Sequence, residues 1–333
     1  MRELLLILVA PVALLLLLYH ALSVSQVNPQ SAMKVLVRPV YHISIDRDER
    51  QMWVYRLRDD VVRMNLGSGE VTQSLSMPRL QLSAVAHSLE GSTSLLCAAN
   101  GTVVLFQDGQ PLQTADLSPD AGVDASISDD GTVAIAASPG GRLLGWHYDG
   151  TSMQEVSIDL PAEAAILRVG VNASGQRMFV ARTDGIVSFL SLEAPDRDVA
   201  GLAVGAECVE FAWSRDERRF GVVTSSFHVR IYDVATGSII DQGKLDDTLD
   251  YLEGVSASMS SDGRWLAVST TVSPDVYLWR VEGHTPARRL KGHTGIVTAM
   301  QFSADSSKLY TGSFDGTIRE WSVESGSQLR TVD

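Results

Sequence analysis

The stretch GHTGIVTAMQFSADSSKLYTGSFDGTIREW, residues 292–321, decides the fold of this chain. It predicts three β-strands and two turns, because runs of β-branched and aromatic residues alternate with clusters of Ser, Asp and Gly. Gly-His opens the stretch and Trp closes it. A sheet of this size exposes two apolar faces and two unpaired edges, so it is not expected to be stable alone. Other parts of the chain must cover it.

Short strings similar to FSADS (302–306) recur along the chain. The seven strings end at residues 49, 91, 131, 175, 217, 263 and 306. A repeat of roughly 40 to 46 residues is typical of a propeller or a similar array. The second residue of each string is Ser, Asn or Asp, and we expect its side chain to accept a hydrogen bond from the backbone N–H two residues on. This turn chemistry explains the acidic and hydroxyl residues better than catalysis does.

Each string is followed by a β-rich run, a second turn and a third strand. Asn-Gly-Thr at 100–102, Asp-Gly-Ile at 184–186 and Asp-Gly-Thr at 315–317 are hairpin signals. A looser fourth strand follows, and almost no helical periodicity is present after residue 25. The sequence therefore predicts an all-β fold with four strands per repeat. The third strand carries a large aromatic residue in six copies: Phe106, Trp146, Phe189, Tyr232, Trp279 and Trp321.

The last copy, with Gly292-His293, FSADS and TGSFDGTIREW, resembles a WD repeat, and residues 40–333 resemble the WD-repeat β-propeller family. The other six copies keep the period, the turns and mostly the aromatic residue, but mostly lose Gly-His. The resemblance implies a seven-bladed β-propeller of four-stranded antiparallel blades, with the first strand of each blade lining a central channel. Stacking seven sheets radially would bury both faces of each sheet.

The resemblance also implies a hydrogen-bonded chain of four side chains in blade 7: His293, Thr311, Asp315 and Trp321. The other blades are then expected to be held by packing, because the position of Thr311 is apolar in each of them: Val54, Leu96, Ala136, Val180, Val222 and Val268.

Two segments compete for the outer edge of blade 7, MKVLV (33–37) and QLRTV (328–332). The second is favoured, because it follows its own turn in register with the other copies.

Residues 1–24 form a separate hydrophobic segment, with sixteen uncharged residues from Leu4 to Tyr19. They predict an N-terminal hydrophobic helix that is either a single-pass membrane anchor or a cleaved signal peptide. The anchor is favoured because the apolar run is longer than the usual signal core. Arg2 before the run favours a cytoplasmic N-terminus and an exported propeller; the alternative is secretion after cleavage. Residues 25–39 are interpreted as a linker or an extra strand.

The composition argues against several functions. A net charge of −13 repels phosphates, so nucleic acid is not expected as a partner. No hydrolase, phosphate-loop or metalloprotease motif is present. The seven histidines are expected to sit around the ring rather than converge, with His87 as a core residue. Cys97 and Cys208 fall in distant copies, beyond disulfide reach. We therefore expect no enzyme activity, no cofactor, no metal and no small-molecule substrate.

The leading functional hypothesis is a membrane-tethered scaffold that binds other proteins through loops at the ends of the ring. Phe314 and Phe227 lie in turns between second and third strands, and an exposed aromatic ring there is a candidate anchor for a partner. The alternative for each ring is packing against the next blade. The rival hypothesis is an exported enzyme or small-molecule binder with its site in the channel, where Arg168 and Glu210 on inner strands are candidate charges.

Overall fold

The computed structural model describes residues 39–332, apart from 57–59, 78–80, 118–123, 149–151, 160–164, 192–193, 206–207, 247–253 and 284–287. The predicted N-terminal helix at 1–24, the MKVLV segment and all of the 25–39 linker except its last residue lie outside the described residues. Within the described part, no helix has the length and apolar character that a membrane crossing requires.

Seven four-stranded antiparallel sheets make up the described residues, which confirms the predicted all-β, seven-bladed architecture. The strands of each sheet follow one another in the chain, so each blade is one continuous segment. Blade 1 contains β1 (Val40–Ile45), β2 (Gln51–Arg56), β3 (Val61–Asn65) and β4 (Val71–Leu75). Blade 2 contains β5 (Leu82–His87), β6 (Thr93–Ala98), β7 (Thr102–Gln107) and β8 (Gln110–Asp116).

The remaining blades repeat this plan. Blade 3 contains β9 (Asp124–Ile127), β10 (Val133–Ala137), β11 (Arg142–Tyr148) and β12 (Met153–Asp159). Blade 4 contains β13 (Ile166–Val171), β14 (Met178–Arg182), β15 (Ile186–Ser191) and β16 (Ala194–Ala203). Blade 5 contains β17 (Cys208–Trp213), β18 (Arg219–Thr224), β19 (His228–Asp233) and β20 (Ile239–Lys244). Blade 6 contains β21 (Gly254–Met259), β22 (Trp265–Thr270), β23 (Val276–Arg280) and β24 (Arg288–Leu290), and blade 7 contains β25 (Val297–Phe302), β26 (Lys308–Ser313), β27 (Ile318–Ser322) and β28 (Gln328–Val332).

The first strand of each blade is its inner strand and adjoins the inner strand of the next blade, and β25 adjoins β1. The ring is therefore closed around a central channel. We call the turns between first and second strands the 1–2 turns, and those between second and third strands the 2–3 turns. Because the strands are antiparallel, these two sets of turns lie at opposite ends of the channel.

Packing between neighbouring blades supplies the core. The described buried apolar residues form seven clusters, and each cluster lies between two adjacent blades. Between blades 5 and 6, for example, Val229 and Ile231 pack with Leu266 and Trp279. Removing such side chains from water is the main favourable term in folding. Blades without the blade 7 hydrogen-bonded chain are held together in this way, as the apolar substitutions predict.

The 1–2 turns correct one sequence prediction. The Ser at the second position of the string accepts from the N–H five residues on, as Ser260 does from Trp265 at 2.9 Å. The N–H two residues after Ser260, that of Asp262, donates instead to Ser306 Oγ at 3.3 Å. The Asp at the fourth position accepts from the N–H two residues after itself, as Asp262 does from Arg264 at 3.0 Å. The reason is geometric: the returning strand brings its first N–H opposite the Ser, while the Asp closes the tip. The fifth residue has a positive φ in every string: Glu49, Gly91, Gly131, Gly175, Glu217, Gly263 and Ser306.

The seam between blades 7 and 1 closes without a shared strand among the described residues. β28 pairs with β27, so QLRTV forms the outer edge of blade 7, as the turn before it predicts. Glu49 on blade 1 accepts hydrogen bonds from Lys308 Nζ at 2.9 Å and Tyr310 Oη at 3.0 Å. The seam also contains an apolar cluster, in which Val40 and Ile43 contribute from blade 1.

Replacing Gly312 with Ala is expected to destabilise this seam. A Cβ at residue 312 would lie 2.6 Å from Val40 Cγ1 and 3.2 Å from Val40 Cβ, closer than side chains normally approach. Overpacking of this kind costs about 1–3 kcal/mol. Gly67→Ala, in an exposed turn of blade 1, is the control and should change the free energy of unfolding by less than about 0.5 kcal/mol. Equal urea midpoints for the two variants would contradict the expectation.

Candidate functional site

The four residues that the WD resemblance implies for blade 7 lie in one hydrogen-bonded chain. His293 Nδ1 is 2.9 Å from Asp315 Oδ2, and His293 Nε2 is 2.7 Å from Thr311 Oγ1. Trp321 Nε1 donates to the same hydroxyl at 2.8 Å. Burial lowers the pKa of His293, although its hydrogen bond to Asp315 opposes that shift. A neutral imidazole fits the chain, because Nδ1–H can donate to Asp315 while Nε2 accepts from Thr311.

Asp315 connects this chain to the 2–3 turn of blade 7. Its carboxylate also accepts hydrogen bonds from the backbone N–H groups of Thr294 and Thr317, each at 2.9 Å. Burial alone would raise the pKa of Asp315, but hydrogen bonds from Thr317 and Thr294 outweigh it and hold the pKa well below its usual range. The carboxylate is therefore ionised at neutral pH, and it ties the turn that carries Phe314 to the segment before β25.

The structure separates the two candidate anchors. Phe314 is only partly buried, and its ring lies 5.3 Å from that of Tyr41, which in turn lies 6.1 Å from Tyr55. Phe227 is fully buried in the apolar cluster between blades 5 and 6. A buried ring offers no surface to a partner, so the packing alternative describes Phe227. The partly exposed candidate is Phe314, on a turn that its neighbours hold rigid.

Three charged side chains meet on neighbouring inner strands of the channel. Arg168 on β13 makes a two-pronged pair with Glu210 on β17, with Nε–Oε1 at 3.0 Å and Nη2–Oε2 at 2.7 Å. Asp124 on β9 accepts from the N–H of Val169 at 3.0 Å. Glutamate charge raises the pKa of Arg168 above its usual range. Burial raises the pKa of Asp124 to about 6, although the Arg168 charge opposes the shift.

This cluster links blades 3, 4 and 5 rather than offering reactive groups. Each of its three charged side chains already has a partner. None of the three lines either of two cavities, of about 280 and 200 Å³, that lie among the described residues of the channel. The sequence singled out Arg168 and Glu210 but missed Asp124. Its position could have identified it, because all three residues lie four positions before the Ser or Asn of their string.

The prediction that histidines do not converge is wrong for one pair. The rings of His42 on β1 and His87 on β5 lie 5.5 Å apart between blades 1 and 2. His87 also stacks on Trp53 at 4.5 Å and contacts Ser94 Oγ through Nδ1 at 2.8 Å. Burial lowers the pKa of His42 to about 4, and burial together with the nearby His42 lowers the pKa of His87. In the described part of the chain, no three His, Cys, Asp or Glu residues are grouped so that they could hold a metal ion.

Comparisons with known proteins agree with this geometry. Residues 284–322 match the family profile described as WD domain, G-beta repeat. The chain is 29% identical over 213 residues to a guanine nucleotide-binding protein subunit beta of Arabidopsis thaliana, covering 59% of this chain and 54% of that protein. It is 26% identical over 238 residues to apoptotic protease-activating factor 1 of Rattus norvegicus, covering 71% of this chain but 17% of that protein.

The fold also has a close counterpart among solved structures. The β-propeller domain of Cps50 (Swd1) from Myceliophteria thermophila superposes with a TM-score of 0.73 at 16% identity, covering 85% of this chain and 97% of that one. The chain spans about half the length, or less, of the two curated relatives. At this low identity the structural match shows the fold alone. The chain is thus a seven-bladed β-propeller that contains a WD40 repeat at residues 284–322.

Proposed function

We propose that this propeller is a non-enzymatic scaffold that binds a partner protein at the end of the ring that carries the 2–3 turns. The observation that carries the proposal is Phe314, a partly exposed aromatic ring on a turn held by Asp315. Aromatic side chains dominate binding energy at interfaces, and a preorganised turn loses little entropy on binding. One relative is a subunit of a guanine nucleotide-binding protein, and so a member of an assembly.

The surroundings of Phe314 support an anchor role. Its backbone N–H donates to Ile296 O at 2.8 Å, and Ser313 Oγ donates to Gly295 O at 2.9 Å, so the turn is tied to the segment before β25. The partly buried Tyr41 of blade 1 continues the aromatic surface across the seam, and the buried Tyr55 lies behind it. A partner that inserts an apolar side chain beside Phe314 would meet two rings, one from each of two blades.

Replacing Phe314 with Ala is expected to weaken partner binding about tenfold or more, because a central aromatic anchor typically contributes 2 kcal/mol or more. The measurement is affinity capture of the full chain from membranes with crosslinking, followed by titration of the captured partner. Leu112→Ala, at a residue that is 49% exposed on β8, is the matched control and should bind normally. Equal capture by Phe314→Ala, with an unchanged unfolding midpoint, would remove this turn as the docking site.

We further propose that residues 1–24 tether the ring to a membrane, with the propeller on the exported side. The support is the uncharged run from Leu4 to Tyr19 and the single Arg2 before it. Protease protection of intact cells tests the orientation: an exported ring is cleaved without lysis, and an interior ring is cleaved only after lysis. Release of the ring into the soluble exported fraction would instead show cleavage after a signal peptide.

A further inference from the structure

The channel contains two cavities near the 1–2 turns. The larger has a volume of about 280 Å³ and the smaller about 200 Å³. Ser126, Arg215 and Gln301 line both of them. Arg215 lies on the 1–2 turn of blade 5, and its Nε is 3.4 Å from Asp129 Oδ1 on the 1–2 turn of blade 3. A guanidinium therefore borders both cavities inside the ring, where 29% of its side chain stays accessible.

Flat apolar side chains form one wall of the larger cavity. Phe179 stacks on Trp213 with ring centres 5.5 Å apart and planes 10° apart, and Phe211 lies on the same wall. Gly170 makes this possible, because a Cβ there would lie 2.0 Å from the Phe179 ring. Ser258 contributes a hydroxyl among the other lining residues. A cavity that combines apolar side chains with a few polar groups is typical of small-molecule sites.

The lining of the larger cavity favours an anion, because Arg215 is the one charged residue among the described residues that line it. Two guanidinium groups, Arg47 and Arg215, lie near one carboxylate, Asp129, at 4.0 and 3.4 Å. Asp129 is thus shared between two guanidinium groups, while Asp130 and Glu217 lie close enough for their charges to act on it. The nearest other acids are held by their own turns or neighbours: Asp130 accepts from Ser128 at 2.7 Å, and Glu217 accepts from Ser174 at 3.0 Å.

Arg215 is also incompletely compensated. Burial lowers its pKa, and the Asp129 charge only partly opposes that shift. The 3.4 Å separation is longer than that of a strong charged hydrogen bond, which is about 2.7–2.9 Å. A second anion on the cavity side would offset the loss of hydration of the guanidinium, and Arg presents several N–H groups in a fork that suits a carboxylate.

We propose that the larger cavity binds a small organic acid with a flat apolar body, whose carboxylate lies on Arg215 and whose ring lies against the partly buried Trp213, with the buried rings of Phe179 and Phe211 behind it. The volume suits a single-ring acid rather than a nucleotide or a peptide. The site lies at the 1–2 turns, at the opposite end of the channel from Phe314, so it does not depend on the scaffold function.

Benzoate is the probe, titrated by calorimetry into the full chain in mild detergent. Saturable binding is expected, with a dissociation constant between about 10 µM and 1 mM. Benzamide, which has the same shape without the charge, should bind about tenfold more weakly or worse. Arg215→Gln should weaken benzoate about tenfold or more, and Arg218→Gln, an exposed residue of the same turn, should leave it unchanged.

Two further variants keep the test decisive if Arg215→Gln misfolds. Arg215→Lys retains the positive charge and should retain benzoate binding within a few-fold. If Arg215 had only a structural role, the Lys and Gln variants would not be expected to differ in this way. Ser258→Leu fills the cavity without changing its charge and should abolish binding. The proposal is overturned if benzoate does not saturate the protein by about 10 mM, if benzamide binds equally well, or if folded Arg215→Gln or Ser258→Leu binds benzoate as the native chain does.

Discussion

Thr311→Val is expected to lower the free energy of unfolding by about 2–4 kcal/mol, although Val occupies the same position in four other blades. The Thr311 hydroxyl is fully buried and contacts both His293 Nε2 and Trp321 Nε1. Removing it leaves two buried polar atoms without a partner, and each such atom costs about 1–3 kcal/mol. Urea unfolding measures the loss as a lower midpoint with an unchanged slope.

Thr311→Ser is the matched control for this prediction. Ser keeps the hydroxyl and loses one methyl group, so the expected cost is about 1 kcal/mol. Equal losses for Val and Ser would show that packing of the methyl group, rather than the hydrogen-bonded chain, stabilises blade 7. The opposite replacement in another blade, Val222→Thr, should not stabilise the protein, because that blade has no equivalent His to accept the hydroxyl.

Acidification from pH 7 to pH 5 is expected to destabilise the propeller through the histidine pair, with about 2 kcal/mol from His42 alone. The pKa of His42 is about 4 in the folded chain, below its ordinary value of 6.5. The unfolded chain therefore binds a proton first, and stability present above pH 6.5 is lost as the pH falls toward 4. His87, whose pKa is also lowered, acts in the same direction.

Variants separate this effect from other titrating groups. Asp124 works in the opposite direction, since its raised pKa lets the folded chain bind a proton more readily at mildly acid pH. The comparison is therefore the slope of unfolding free energy against pH in the native chain and in His42→Gln. That slope should flatten between pH 6.5 and 4.5, whereas His228→Gln, at an exposed residue, should leave it unchanged. An unaltered slope in His42→Gln would rule out this source of acid sensitivity.

The fold could be predicted because its signals are local. Turns such as SSDG at 260–263 and hairpins such as DGT at 315–317 depend on a few adjacent residues, and they recur at a fixed period. Blade number and strand order followed from counting them. Even so, the sequence predicted the wrong donor for the Ser of the 1–2 turn. The N–H that Ser260 binds belongs to the returning strand rather than to the turn tip.

The site could be predicted less well because its contacts cross between blades. Arg168 meets Glu210 over 42 residues of chain, and Asp124 meets the N–H of Val169 over 45. Such pairs depend on how inner strands are offset around the closed ring, which no single repeat specifies. The same holds for His42 with His87. The burial of Phe314 and Phe227 could not be predicted either. Equivalent turns carry the two rings, but the neighbouring blade determines which of them is buried.

Within the described residues, side-chain contacts close the ring without an exchanged strand, and this has a consequence for synthesis on the ribosome. Thr298 Oγ1 donates to Val40 O across the seam, over 258 residues of chain. At about 5–20 residues per second, the first blade waits roughly 13–50 seconds before its last neighbour emerges. During that interval its apolar flank, including Ile43, has no native cover. The nascent chain is therefore expected to need a chaperone during this interval, when the first blade is most prone to aggregate.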